Sequence, residues 1–225
     1  MSHRTNSEVL NVRNVCRHRC FEAYRSDNPS ISGCDGGCGY CGSNYSHDVL
    51  INHPVPINKL NKAIADHKGK RTWLYVLDFF DDIHFDIFEA LEYQDQTPLI
   101  IEGCVASFYK NYMDKVDELK CMGISEIWFG VESASERLRK SYQKPAFTNT
   151  QLMEIMSLLK VYDIQTWWYL VYGPEDTGDT IRETNEMVRK CNPDGTWFSM
   201  LVPHKNTEGV GCHLTNHHHA EKVTA

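Results

Sequence analysis

Three cysteines stand close together in Gly33-Cys34-Asp35-Gly36-Gly37-Cys38-Gly39-Tyr40-Cys41-Gly42, at Cys-x3-Cys-x2-Cys spacing and among five glycines. Glycine lets a backbone curl tightly and accept positive φ, which a loop needs if it is to aim three thiolates at one centre. Three thiolates suit a soft metal or an iron–sulfur cluster. A structural zinc site normally takes four ligands, often as two separated pairs. Two readings follow from the residues: a cluster with one open iron, or a zinc knuckle that borrows Cys16 or Cys20.

Carboxylates and cations recur further along. Leu77-Asp78-Phe79-Phe80-Asp81-Asp82-Ile83-His84-Phe85 offers Asp81 and Asp82, either as acceptors for an ammonium group or, for Asp82, as the N-cap of a helix beginning near Phe85. Phe129-Gly130-Val131-Glu132-Ser133-Ala134-Ser135 offers Glu132 and Ser133, and Arg137, Arg139, Lys140 and Lys144 follow; a solvated helix face is the ordinary place for any one of those cations. Cys104, Cys121 and Cys191 fall inside apolar patterns and read as small buried hydrophobes. Cys16 and Cys20 would need more ligands to form a second metal centre, and Cys212, His213 and His217 to His219 sit in a polar tail.

The elements that must hold these residues alternate. Trp73–Leu77, Leu99–Val105, Glu126–Val131, Ile164–Tyr172 and Thr196–Val202 are β-rich, and a further strand precedes Cys34 at Val9–Val15 or Ile31–Gly33. Between them lie apolar stripes at helical spacing: Ile57, Leu60 and Ile64; Tyr109, Tyr112, Met113, Val116 and Leu119; Leu152, Ile155, Met156, Leu159 and Tyr162; and a weaker one through Ile181, Val188 and Cys191. Trp167–Tyr172 is continuously apolar, as a strand covered on both faces must be, with one of Tyr169 and Val171 expected to face inward along with Trp167. Thr177 or Asp179 can cap the helix that runs toward Cys191. Strand–helix alternation about six times implies right-handed parallel crossovers. A complete eight-stranded barrel takes roughly 250 residues, so an α/β partial (β/α)6 barrel fits better, with the cysteine loop after the first strand. In such folds the chemistry sits at the C-terminal strand ends.

In this context Cys-x3-Cys-x2-Cys, with aromatic Tyr40 just before the last cysteine, resembles the signature of the radical S-adenosylmethionine (radical SAM) superfamily. The resemblance covers roughly residues 31–207. Its branch is similar to that of the cobalamin-dependent methyltransferases and methylthiotransferases: aromatic-Asp-Asp in place of Gly-Gly-Glu, and Glu132-Ser133-Ala134-Ser135 for Glu-Ser-Gly-Ser. Lys144-Pro145-Ala146-Phe147-Thr148 stands for a Lys-Gly-Phe-Thr-like segment, and Gly173-Pro174-Glu175-Asp176-Thr177 for Gly-x-Pro-Gly-Glu-Thr. The departures are Ala134, Tyr172 and Glu175, where glycines are usual. The resemblance implies that Cys34, Cys38 and Cys41 hold three irons of a 4Fe–4S cluster and that S-adenosylmethionine (SAM) chelates the fourth. Tyr40, Asp81, Asp82, Glu132, Ser133 and Lys144 would then line the cofactor. It further implies reductive cleavage of SAM to a 5′-deoxyadenosyl radical that abstracts hydrogen from an unidentified substrate. A reductant such as flavodoxin or ferredoxin would be needed. A structural zinc scaffold, and a SAM-binding subunit dependent on a partner chain, are the rival readings.

Composition narrows the classes. Lys plus Arg number 23 against 30 Asp plus Glu, a formal charge of −7, with no long basic run, which argues against a protein held to nucleic acid by phosphate contacts. Hydrophobics at 41% and aromatics at 11% exclude a disordered chain. The longest uncharged apolar run is far too short to cross a bilayer. Residues 1–14 are polar and lack the apolar core of an export signal. Nine cysteines without such a signal point to a reducing, cytoplasmic setting, where clustered thiols bind metal or do chemistry. The chain divides into an N-terminal extension (1–30), a catalytic core (31–207) and a polar tail (208–225). A cobalamin domain of the kind the branch usually carries would lie before the cysteine loop, where the chain has 33 residues.

Overall fold

The continuous apolar runs become strands of a single open sheet whose strand order follows chain order. The computed structural model describes residues 8–10, 65, 69, 71–74, 78–80, 98–203 and 212–215. Strands β1 (Glu8–Leu10), β2 (Thr72–Leu74), β3 (Leu99–Cys104), β4 (Ile124–Glu132), β5 (Gln165–Tyr172) and β6 (Gly195–Pro203) are all parallel. Strand β7 (Cys212–Thr215) returns antiparallel to β6. No ladder joins β1 to β7 among the described residues, so the sheet stays open, an α/β partial barrel. The sequence pattern ended the sheet near Val202 and left a polar tail; the structure draws Cys212–Thr215 of that tail into the sheet edge. Of the two candidate first strands, Val9–Val15 overlaps β1 at Val9 and Leu10, with the cysteine loop following in the chain, and Ile31–Gly33 lies outside the described residues. No helix among the described residues is long and apolar enough to cross a membrane.

Helices α1 (Val105–Asn111), α2 (Val116–Cys121), α3 (Glu136–Ser141), α4 (Asn149–Val161) and α5 (Gly178–Cys191) fill the connections. Two of them start on reciprocal capping boxes. Thr148 accepts from Gln151 N while the Gln151 side chain accepts from Thr148 N, and Thr177 pairs with Thr180 in the same way. Thr177, rather than Asp179, is the cap of α5.

The single stripe Tyr109 to Leu119 belongs to two helices, not one. Tyr112, Val116 and Leu119 do share a buried face, but α1 ends at Asn111, whose side-chain Nδ2 donates to Phe80 O at 2.9 Å. Lys115 N then turns back to Tyr112 O at 3.0 Å before α2 starts. Asn and Asp compete with helical backbone bonds, and here Asn111 spends its amide on a tertiary contact instead. The stripe reports the face correctly and cannot report the break.

The sheet has two distinct faces. One is covered by helices: Leu99, Ile101, Ile127, Phe129, Trp168 and Leu170 pack with Val105, Phe108, Leu119, Leu152, Ile155 and Leu159. The other carries Ile100, Trp128, Trp167 and Trp197, with Tyr169 against them. Trp128 and Trp167 face each other across the β4–β5 ladder and stack at 4.7 Å between centroids, 8° from parallel. The Trp167 ring lies so close over Gly195 that a Cβ there would meet Cζ3 at 2.3 Å, so the indole needs glycine beneath it. Trp167, Tyr169 and Val171 all share one strand parity, so Tyr169 and Val171 both lie on the Trp167 face. Val171 packs there with Leu138, Tyr142 and Leu201. The expectation that only one of the two would do so misapplied the two-residue period.

Cys104 and Cys191 are buried as the pattern implied, but Cys121 is exposed. It ends α2 two residues past Leu119, off the buried face of that helix. The α5 stripe is also different in kind: its buried residues are Thr180, Thr184, Val188 and Cys191, so two hydroxyls occupy half of it.

Candidate functional site at the C-terminal strand ends

The β2–β3 end is organised by Asp78. Its carboxylate, almost fully buried, accepts from Phe80 N at 3.1 Å, Cys104 N at 2.9 Å and Ser107 Oγ at 2.6 Å. A carboxylate so satisfied fixes both the segment leading toward residue 81 and the point where β3 passes directly into α1. Gly103 makes room for it, since a Cβ there would sit 2.4 Å from Asp78 Oδ1.

The β4 end is the most unusual backbone in the described chain. Register shifts between Gly130 and Glu132, and Glu132 adopts φ 65, a left-handed conformation that costs a non-glycine residue roughly 1–2 kcal/mol. The turn aims the Glu132 carboxylate at Lys144, whose Nζ lies 2.9 Å from Oε1. Both side chains are enclosed, at 7% and 6% exposure. They lie over Gly130, where a Cβ would come within 2.7 Å of Lys144 Nζ and 2.8 Å of Glu132 Oε1. Because Gly130 pairs with Cys104 on one side and Tyr169 on the other, the ion pair stands at the C-terminal end of the middle strand. Below it the Tyr169 hydroxyl donates to Glu102 Oε2 at 2.9 Å.

Lys144 is delivered by a helix C-terminus. Gln143, at φ 55, follows the Tyr142 C-cap of α3; Gln143 N bonds Lys140 O at 3.1 Å and Lys144 N bonds Arg139 O at 3.0 Å. That is the Schellman arrangement, with glutamine in the place glycine usually takes.

Ser133 turns the other way. Its Oγ lies 3.2 Å from Thr184 Oγ1 and accepts from Ser135 N at 3.1 Å, while Ala134 N donates to Thr184 Oγ1 at 3.1 Å. The buried Thr184 of α5 therefore holds the turn after β4. The loop after β5 is held by Asp176, which accepts from Gly173 N at 2.7 Å and from Thr180 Oγ1 at 3.1 Å.

Of the four cations after Glu132, sequence pattern assigns all to a solvated helix face. Arg137 and Lys140 are exposed, but Arg139 is 3% exposed, and Lys144 is enclosed. Arg139 donates to Ser133 O at 2.7 Å, Asn149 Oδ1 at 3.0 Å and Phe147 O at 2.9 Å, with its guanidinium 4.0 Å over the Phe147 ring. Burial lowers its pKa from the ordinary arginine value, opposed by the carboxylates of Glu136 and Glu183. Asp78, Thr180 and Thr184 build the site without being singled out by motif or spacing, and Arg139 stood only among cations expected on a solvated face. Cys34, Tyr40, Cys38, Cys41, Asp81 and Asp82 lie outside the described residues, as do Cys16 and Cys20. Among the described residues, no three His, Cys, Asp or Glu side chains stand together as a metal site.

This architecture has counterparts of known structure. The radical S-adenosylmethionine methyltransferase TsrM from Kitasatospora setae, with cobalamin and a 4Fe–4S cluster bound, matches with a TM-score of 0.60 at 12% identity, over 78% of this chain and 36% of that one. The chain has the radical SAM fold. Methylornithine synthase PylB matches with a TM-score of 0.62 at 10% identity, over 94% of this chain and 58% of that one. The cobalamin-dependent SAM radical enzyme OxsB, with aqua-cobalamin and SAM bound, matches at 0.54 and 18% identity, over 80% and 27%. The chain thus spans between 27% and 58% of the length of these radical SAM-fold proteins. No family model matches the chain, and no curated protein does.

Proposed function

We propose that the chain is a radical SAM enzyme in which Cys34, Cys38 and Cys41 hold a 4Fe–4S cluster and SAM lies against the C-terminal end of β4. One observation carries the reading. Glu132 and Lys144, singled out in sequence for a cofactor's polar groups, are an enclosed ion pair at that strand end, in a fold shared with SAM-binding radical enzymes.

The donor set fits the cofactor. Lys144 Nζ suits the SAM carboxylate, a charge-assisted contact. The Glu132 oxygens suit ribose hydroxyls, to which a carboxylate is a pure acceptor. Asp81 and Asp82, three and four residues past the anchored Asp78, take the ammonium group. Tyr40 lines the cluster loop, and Ser133 acts through the turn it fixes. When bound, the cluster and SAM supply a one-electron cleavage that yields methionine and a 5′-deoxyadenosyl radical able to abstract hydrogen from a substrate. The chain's part is to hold SAM's polar groups and to shield the reacting end from water, which the apolar floor of Trp128, Trp167 and Trp197 favours. The electron comes from a reductant such as flavodoxin or ferredoxin.

The test is anaerobic reconstitution with iron and sulfide, then addition of dithionite and SAM. The expected product is 5′-deoxyadenosine. Serine at Cys34, Cys38 or Cys41 abolishes the cluster's visible absorption and the product, while Cys104→Ser keeps both. Iron-loaded protein that binds SAM and never cleaves it would refute the reading, as would tightly held zinc without iron.

A further inference from the structure

Lys144 is a flexible side chain on a loop, and a flexible cation is a poor guide for a ligand carboxylate unless its backbone is fixed. Arg139 ties together the two ends of the loop from 140 to 148, which the buried rings of Tyr142 and Phe147 also anchor. The Arg139 guanidinium reaches back to Ser133 O, where the chain leaves β4, and forward to Phe147 O and Asn149 Oδ1, where α4 begins. Its own carbonyl accepts from Lys144 N. Lys144 therefore hangs between two points that Arg139 holds at fixed separation from Glu132. Asn149 completes the frame by donating to Ala134 O at 3.0 Å.

We infer that Arg139 is a positioning residue for recognition of an α-carboxylate at this site, acting through Lys144 without touching the ligand. The inference rests on the reading of the site as a SAM site and names a residue that reading does not use. A planar fork is required for the role: lysine keeps the charge but gathers its donors on one nitrogen, whereas Arg139 reaches Ser133 O and Asn149 Oδ1 from Nη1 and Phe147 O from Nη2.

The test compares SAM with decarboxylated SAM as ligands for anaerobic, cluster-loaded protein, by calorimetry. Arg139→Lys is expected to weaken SAM binding about tenfold and to leave decarboxylated SAM within about threefold of wild type. Asn149→Ala, which removes one acceptor of Arg139 together with the donor to Ala134 O at the partly exposed start of α4, is expected to weaken SAM binding about threefold with the same selectivity for the carboxylate. Val116→Ala, in the apolar layer under α2, lowers the melting temperature and changes neither affinity. If the Arg139 variant does not fold, Asn149→Ala decides alone. Equal weakening of both ligands, or unchanged SAM binding in a destabilised variant, overturns the positioning role. Wild-type protein that loads a cluster and binds neither ligand overturns the functional reading, and the positioning role with it.

Discussion

Lys144→Met is the most informative single change outside the cysteine loop. It leaves the Glu132 carboxylate enclosed, on a backbone already held at φ 65, without its cation. Removing one member of a buried pair typically costs about 3–5 kcal/mol, because the remaining charge is stranded. At 7% exposure some water reaches the carboxylate, so the low end applies, about 3 kcal/mol. For a chain of this size each kcal/mol moves the melting temperature by roughly 2–4 °C, so the fall is about 6–12 °C. Adding Glu132→Gln removes the stranded charge, and the double variant is expected to recover at least about 1.5 kcal/mol against the sum of the single changes. The assay is urea unfolding followed by tryptophan fluorescence, since Trp128, Trp167, Trp168 and Trp197 all lie in the sheet. A Lys144→Met variant within about 0.5 kcal/mol of wild type, or a strictly additive double variant, would mean the pair is hydrated rather than enclosed, and the argument from its burial would fail.

Three further outcomes are expected. Gly103→Ala drives a Cβ to 2.4 Å from Asp78 Oδ1 and 2.5 Å from the Phe80 ring, and should cost about 1–3 kcal/mol by urea unfolding, since both neighbours are locked. In native protein, a thiol reagent at mildly alkaline pH should label Cys121 and spare Cys191: the first is exposed, and burial raises the second thiol's pKa against the opposing pull of Lys160 and Lys190. The Tyr172 hydroxyl is raised above its ordinary value by burial and by Asp176, so on raising pH the unfolded chain loses that proton first. Stability should be unaffected by this group below about pH 10 and decline above it, and Tyr172→Phe should flatten that decline in pH-resolved melting curves.

What could be read from sequence followed from which physical signal each residue gives. Buried parallel strands announce themselves by unbroken apolar composition, so Leu99–Cys104 and Gln165–Tyr172 were visible within a residue or so. The four buried apolar positions of α4 were visible for the same kind of reason, at helical period. Glu132 and Lys144 were visible as motif members; that they meet depends on a positive φ at Glu132 and another at Gln143, and neither residue type advertises it. Arg139 was misread because a charge on a helix is normally solvated, and only the three-dimensional approach of Ser133, Phe147 and Asn149 reverses that rule. Thr180 and Thr184 were passed over because hydroxyls break an apolar stripe on paper, though in space Thr184 satisfies the turn after β4 and Thr180 the loop after β5.

Strand order that never departs from chain order has a consequence for biogenesis. Each new strand finds its partner in the segment synthesised just before it, so a nascent chain can add layers at a growing edge as it emerges from the ribosome, with no wait for a distant segment. The middle strand follows the same rule. β4 has a hydrogen-bonding edge to satisfy until β5 arrives, and the lysine that meets its terminal glutamate is made in that same interval.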